Sequence, residues 1–142
     1  MKRTSFAEDK CLVARSVEAV GDWWSLLVVR DAFLGKKRFG EFQKLLGVAK
    51  NILTVRLKKL VADGVLELVP ASDGSAFKEY ALTGKGRGLL PVIAALGQWG
   101  CASSEFRLVD RNKGKAVRLE FRSEDGRRLA PDDVRLVHAP GA

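Results

Sequence analysis

Residues 47–60 read GVAKNILTVRLKKL. Leu53, Leu57 and Leu60 recur at helical spacing, as one buried stripe requires. Along another side Lys50, Asn51, Thr54 and Lys58 fall three and four residues apart, and none is acidic. Gly47-Val48-Ala49 has the length of the turn that joins the two helices of a helix-turn-helix, with Val48 able to point into their angle. The second helix of the pair is predicted from about Lys50 to Asp63, ending at Gly64.

Upstream, glycines punctuate the chain. Residues 9–20, DKCLVARSVEAV, read as a helix whose stripe is Val13, Val17 and Val20, with Gly21 able to end it. WWSLLVVRDAFL, from Trp23 to Leu34, reads as a second helix with Asp22 able to cap it and Gly35 following. Being apolar nearly all round, it should lie at the centre of the core. Lys36, Lys37 and Arg38 then form a basic loop, and Phe39, Phe42 and Leu46 mark a short helix that stops at Gly47.

Downstream of the quoted stretch the period changes. VLELV alternates, ASDGS supplies turn chemistry around Asp73-Gly74, and AFKEYAL alternates again, which predicts a β-hairpin. Thr83 can cap a long helix carrying Leu89, Leu90, Ile93, Leu96 and Trp99. Pro91 should kink that helix or divide it after a first turn. Past Asp110, RNKGK reads as a polar linker, VRLEF and RRL around Asp125-Gly126 as a second small hairpin, and PDDVRLVHAPGA as one more extended segment with a loose end. The expected division is 1–110 for the main domain and 111–142 for a C-terminal extension.

A chain of 142 residues, 46% of them hydrophobic, makes one ordinary globular domain with room for an appendage. At this size roughly two-thirds of the unfolded surface can be buried, so no staple is needed. The net charge of +8 makes a polyanion a reasonable partner. The charge clusters: from Lys36 to Leu60 there are eight cations against one acid, Glu41. Two cysteines do not make a disulfide framework. MKRTSFAEDK lacks the apolar run of a signal peptide, and the run Leu26–Val29 is too short to cross a bilayer. A soluble, cytoplasmic protein without membrane association is expected.

Three helices with a tight turn, followed directly by a hairpin, form a winged helix: mainly α with a small β wing. A B-DNA major groove admits one helix, whose exposed face must offer donors to base edges and cations to phosphates. Asn51 and Thr54 can bond base edges; Lys50 and Lys58 suit guanine or phosphate. Lys36, Lys37 and Arg38 could grip the backbone. Arg56 either reaches a phosphate or pairs with Glu41 to fix the angle of the two helices. A lysine-rich helix face taken alone is usually only solvated surface. Here turn spacing, hairpin and charge clustering agree, which favours double-stranded DNA as the partner. The rival reading is a winged-helix protein-interaction module that does not bind DNA.

GDWWSLLVVRDAF, GKKRFGEF, ILTVRLKKL with DGVLE, EYALT and GRGLLPVIAALGQWG, in that order, resemble the HxlR-type winged helix-turn-helix transcriptional regulators. The resemblance spans roughly Cys11 to Gly100. It implies a dimeric, sequence-specific DNA-binding regulator of bacterial type, acting on an inverted-repeat operator. The recognition helix would be Lys50 to Ala62 and the wing Leu66 to Leu82. The dimer would be built from residues 9–20 and about 85–105. Cys11 matches a cysteine common near the start of such proteins, and Trp24, Phe39, Gly40 and Glu41 match the family core. Three departures stand out. Ala49 replaces the serine often found at the start of the recognition helix, leaving that end to fray or to be capped by other groups. The wing tip Ser72-Asp73-Gly74-Ser75 is acidic, with Lys78 as the wing's only cation, so specificity should rest on the helix. The segment after Asp110 lies outside the shared pattern.

Some members of that family sense thiol-reactive compounds through the N-terminal cysteine. Cys11 lies between Lys10 and Arg15 near a helix start, surroundings that activate thiols, which makes an oxidant or small-molecule effector a candidate partner. Cys101 could pair with it across subunits. The plainer reading makes each a small core hydrophobe. Catalysis has little to stand on, and no enzyme activity, cofactor or metal is expected. The only histidine, His138, is in the tail, and the cysteines are too few for structural zinc. Gly84-Lys85-Gly86-Arg87-Gly88 follows a hairpin and lacks Walker spacing, so it reads as a helix start. Trp23, Trp24 and Trp99 could line a small pocket, although core packing suits Trp24 better.

Overall fold

The computed structural model describes Ser5, Ala7, residues 11–100 and 107–138, and Pro140, with Trp23 described in its backbone only. It divides into two compact units, Met1–Leu90 and Pro91–Ala142. The first contains α1 (Leu12–Val20), α2 (Trp23–Phe33), α3 (Phe39–Leu46), α4 (Lys50–Ala62), β1 (Leu66–Pro70), β2 (Lys78–Leu82) and the single turn α5 (Gly84–Arg87). Helices followed by one antiparallel hairpin give the mainly α, winged helix-turn-helix architecture expected.

α2 is the hub, touching α3, α4 and β2. Its start is capped as predicted: the Asp22 carboxylate accepts from the Ser25 backbone N–H at 2.8 Å and from the Ser25 hydroxyl at 2.5 Å. Val28 and Val29 are fully buried on it. α4 contributes Leu53, Leu57 and Leu60, all fully buried, and α3 contributes Phe42. The periodic stripe of the quoted stretch is therefore the floor of the core.

The turn between α3 and α4 works through Gly47 and Val48. Gly47 takes the left-handed conformation (φ 61°), and its N–H donates to the Gln43 carbonyl, which closes α3. Val48 is buried, as the inter-helix angle requires. Ala49 stands at the N-cap of α4 with no side-chain hydrogen bond, so that end lacks a polar cap.

In the wing, Leu66 faces Leu82, Leu68 faces Tyr80 and Pro70 faces Lys78. Tyr80 packs edge-on against Phe42 with ring centroids 6.3 Å apart. The Tyr80 N–H also donates to the Lys37 carbonyl at 2.7 Å, so the basic loop before α3 is hydrogen-bonded to the outer edge of β2. Thr83 caps α5 by accepting from the Gly86 N–H at 3.0 Å. Gly86 is buried, and a Cβ there would collide with the Val65 carbonyl, which explains the small residue in a sequence that only superficially resembles a phosphate loop. α1 packs on α4, yet only Val20 of its stripe is buried.

All of α6 (Leu90–Gly100) but its first residue belongs to the second unit. The helix expected after Thr83 is divided as Pro91 demands, with a break at Gly88-Leu89. Its expected continuation, 101–106, lies outside the described residues. Farther on, β3 (Phe121–Arg122) pairs with β4 (Arg128–Leu129), the small hairpin anticipated around Asp125-Gly126. The Gln98 side chain accepts from the Leu119 N–H at 2.8 Å and ties this segment to α6.

The reading of RNKGK as a linker is corrected. Residues 110–114 make a tight turn beneath the bridge Val109↔Ala116. The Asp110 carboxylate accepts from the backbone N–H groups of Lys113 and Lys115, and Gly114 supplies the positive φ of 68°. Those bonds, that of Lys113 foremost, hold the Asp110 carboxyl below its usual range despite an opposing desolvation effect.

Candidate nucleic-acid interface

Burying Leu53, Leu57 and Leu60 fixes what α4 shows to solvent. Lys50, Asn51 and Lys58 are exposed, and Thr54 is half-buried beside them. The Thr54 hydroxyl donates to the Lys50 carbonyl at 2.8 Å. Its proton is used inside the helix, leaving the oxygen as an acceptor. Val55 lies on the same side and is 59% exposed, an apolar residue on a face otherwise marked by cations, an amide and a hydroxyl.

The other two cations of α4 turn inward. The Arg56 guanidinium is half-buried with Nε 3.5 Å from Asp22 Oδ1, linking α4 to the start of α2. The expected alternative partner, Glu41, is engaged elsewhere: its carboxylate accepts from the backbone N–H groups of Lys37 and Arg38 and so caps α3. Burial pushes the Asp22 carboxyl up, but the Ser25 bonds and the Arg56 charge outweigh it and bring the value below the ordinary one. Lys59 Nζ reaches Asp63 at 2.8 Å and the Ala19 carbonyl of α1 at 3.5 Å.

The wing resolves the puzzle of its acidic tip. Arg38 Nη2 lies 2.6 Å from Asp73 Oδ2 and 3.4 Å from the Ser75 hydroxyl, while Arg38 Nε lies 3.5 Å from Glu79 Oε2. The guanidinium also stacks over the Phe77 ring, 5.5 Å from its centroid. Glu79 is buried and accepts from the Ser72 N–H at 2.9 Å. The Ser75 N–H and hydroxyl, then Arg38, bring the Asp73 carboxyl down to about 2. Arg38 is thus engaged with the wing's acids, whereas Lys37 and Lys78 are exposed and Lys36 is half-exposed.

An open cleft of about 350 Å³ between the start of α2 and α4 is lined by Gly21, Asp22, Trp24 and Arg56. Trp24 therefore borders a pocket and is only half-buried, against the expectation of core packing. The Trp23 side chain lies outside the described residues, and Trp99 is 88% exposed in the second unit. Cys11 is exposed at the N-cap of α1; Cys101 lies outside the described residues. Among the described residues no cluster of three metal-ligating side chains occurs. None of the described helices is long and apolar enough to cross a membrane.

Local sequence signals mark part of this surface. The spacing that marks Lys50, Asn51 and Lys58 also marks Val55, since it follows Asn51 by four residues and precedes Lys58 by three. The Arg38–Asp73 and Arg56–Asp22 pairs join residues far apart in the chain and have no local signal.

Comparisons with known proteins agree with this architecture. The profile of the HxlR-like helix-turn-helix family matches residues 19–107. The HTH-type transcriptional regulator Mb3122 of Mycobacterium bovis is 43% identical over 88 residues, 62% of this chain. That match spans only 56% of Mb3122's own length. PA1607, provisionally described as a transcription factor, is 50% identical, with a TM-score of 0.83 over 96% of this chain and all of its own. The redox regulator HypR in its oxidized form is 29% identical, with a TM-score of 0.60 over 68% of this chain and all of HypR. With the family profile covering well over half of its length, the chain belongs to the HxlR-like helix-turn-helix family.

Proposed function

We propose that this protein is a homodimeric transcriptional regulator that places the exposed face of α4 in the major groove of an inverted-repeat operator. The observation that carries the reading is the division of α4: its leucines form the core floor, which leaves Lys50, Asn51 and Lys58 open to solvent on an acid-free face. Asn51 is assigned to a base edge, Lys50 and Lys58 to guanine or phosphate, and Thr54 to an acceptor role. Lys36 and Lys37, in the loop before α3, and Lys78, at the start of β2, are assigned to the phosphate backbone. Arg38 and Arg56 position the wing and α4. The exposed apolar stripes of α1 and α6 are assigned to the partner subunit.

Two-fold symmetry spaces the half-sites by one helical turn, about 34 Å, or a multiple of it. The test is selection of bound fragments from random duplexes, followed by titration against salt. A palindromic consensus is expected, with affinity falling as about −0.9 in log–log slope for each neutralised phosphate. Lys50→Ala weakens binding, and Asn51→Ala relaxes preference at one position per half-site. Absent or salt-insensitive duplex binding would favour the protein-interaction module instead.

A second reading concerns an effector. Cys11 is exposed at the start of α1, a helix assigned to the dimer, and the similar HypR is a redox regulator. Modification of its thiol would act directly on that helix. Diamide or a quinone should shift operator affinity in the wild type and leave Cys11→Ser unaffected; an equal response of the two removes Cys11 from the reading.

A further inference from the structure

We propose that Val55 reads a thymine methyl group, adding an apolar specificity contact to the otherwise polar face of α4. The inference rests on the duplex-binding reading above. Val55 is 59% exposed, while the leucines of the same helix are fully buried. Its neighbours one turn away along the helix surface are Asn51 and Ile52 before it and Lys58 and Lys59 after it, and of these Asn51, Ile52 and Lys58 are exposed. An apolar branched side chain therefore stands between an amide and an ammonium group on the surface assigned to DNA.

The chemistry of that surface selects the ligand. Among the groups on base edges in the major groove, the apolar one is the C5 methyl of thymine. A β-branched side chain in a helix is held in one strongly preferred rotamer, so its methyl groups present a fixed shape and lose little freedom on contact. The Thr54 proton is committed to the Lys50 carbonyl, which reduces what Thr54 can offer as a donor and shifts base reading to Asn51 and Val55. Ile52, the other exposed large apolar residue of α4, is 39% exposed and lies on the flank of Val55 away from Lys50 and Thr54, beside Lys59, whose ammonium reaches the Ala19 carbonyl of α1. Bordered by Asn51 and Lys58, the Val55 side chain presents its methyl groups among polar base-reading neighbours, where one thymine methyl matches it.

The experiment uses the full chain and duplexes selected from a random library. Each thymine of the selected half-site is replaced by deoxyuracil, which removes only the methyl. Wild type and Val55→Ala are titrated on every duplex. Alanine is the best helix former and the site is exposed, so the variant should fold, as thermal melting would verify. At one position per half-site, deoxyuracil should weaken the wild type about fourfold, the worth of roughly one buried methylene-sized group. Val55→Ala should bind the unmodified duplex correspondingly more weakly and be indifferent to deoxyuracil there. Loss at that position of equal size in both proteins, no methyl effect at all, or a half-site without thymine would overturn the assignment to Val55 while duplex binding stands. If the wild type binds no duplex, both this inference and the reading beneath it fall.

Discussion

The Arg38 guanidinium sits 2.6 Å from the Asp73 carboxylate, so the residue that begins α3 also holds the tip of the wing. Arg38 thereby neutralises two acids of the wing, Asp73 and Glu79. Arg38→Ala should therefore loosen residues 71–77, seen as faster amide exchange. It should also weaken duplex binding, because Asp73 and Glu79 lose their counter-charge. The double variant Arg38→Ala/Asp73→Ala should regain part of that affinity. If Arg38 instead grips a phosphate directly, removing Asp73 as well restores nothing.

Acid should undo the same contact late. The Asp73 carboxyl is held at about 2, below its ordinary 3.8, chiefly by the Ser75 N–H and hydroxyl and then by Arg38. A depressed folded-state value means that the stabilisation is fully present above the ordinary value and is lost as pH falls toward 2. The Ser75 amide should thus keep its shift and protection at pH 4 and lose them on further acidification. Asp73→Asn should abolish that step. Glu79, lowered mainly by the Ser72 N–H, is followed separately through the Ser72 amide.

Adjacent residues of α4 should separate stability from binding. Leu57 is fully buried, and Leu57→Ala should cost about 2–5 kcal/mol through lost burial and a residual cavity. Lys58 is exposed, and Lys58→Ala should stay within about 0.5 kcal/mol of the wild type. Denaturant melts would rank them in that order. Duplex titration would find the opposite sensitivity at folded concentrations, with the Lys58 variant reducing the salt slope by about 1 for each phosphate contact removed.

These contrasts show which parts of the molecule local sequence can carry. Leu53, Leu57 and Leu60 announce a buried stripe by period alone, and Asp22, Gly47 and Pro91 mark boundaries through cap and backbone chemistry that acts within a few residues. Arg38 looks like a free cation in the sequence, and Arg56 is offered Glu41 as its nearest acid, because the acids they meet, Asp73 and Asp22, lie on other elements. Asp110 was hidden for a different reason. Its carboxylate organises its own turn, and a polar run containing glycine looks the same whether it is a linker or a bonded loop. Val55 was legible in principle, since the row that carries Asn51 and Lys58 must carry it too.

Dimerisation is open to a direct test on α1. Val13 is 69% and Val17 52% exposed, although they share the stripe of the buried Val20. Exposed apolar residues at helical spacing on one side of a helix call for a partner surface. α6 has a comparable stripe in Val92, Leu96 and Trp99. Val17→Asp should yield a folded monomer, with an unchanged far-ultraviolet spectrum and about half the sedimenting mass. Since each monomer would then meet only one half-site, operator affinity should fall by about 10²–10⁴, the gain that joining two binding modules ordinarily confers. A dimer that survives both Val17→Asp and Trp99→Asp would place the subunit contact elsewhere. A monomer that binds as tightly as the parent would mean that half-site spacing has no part in recognition.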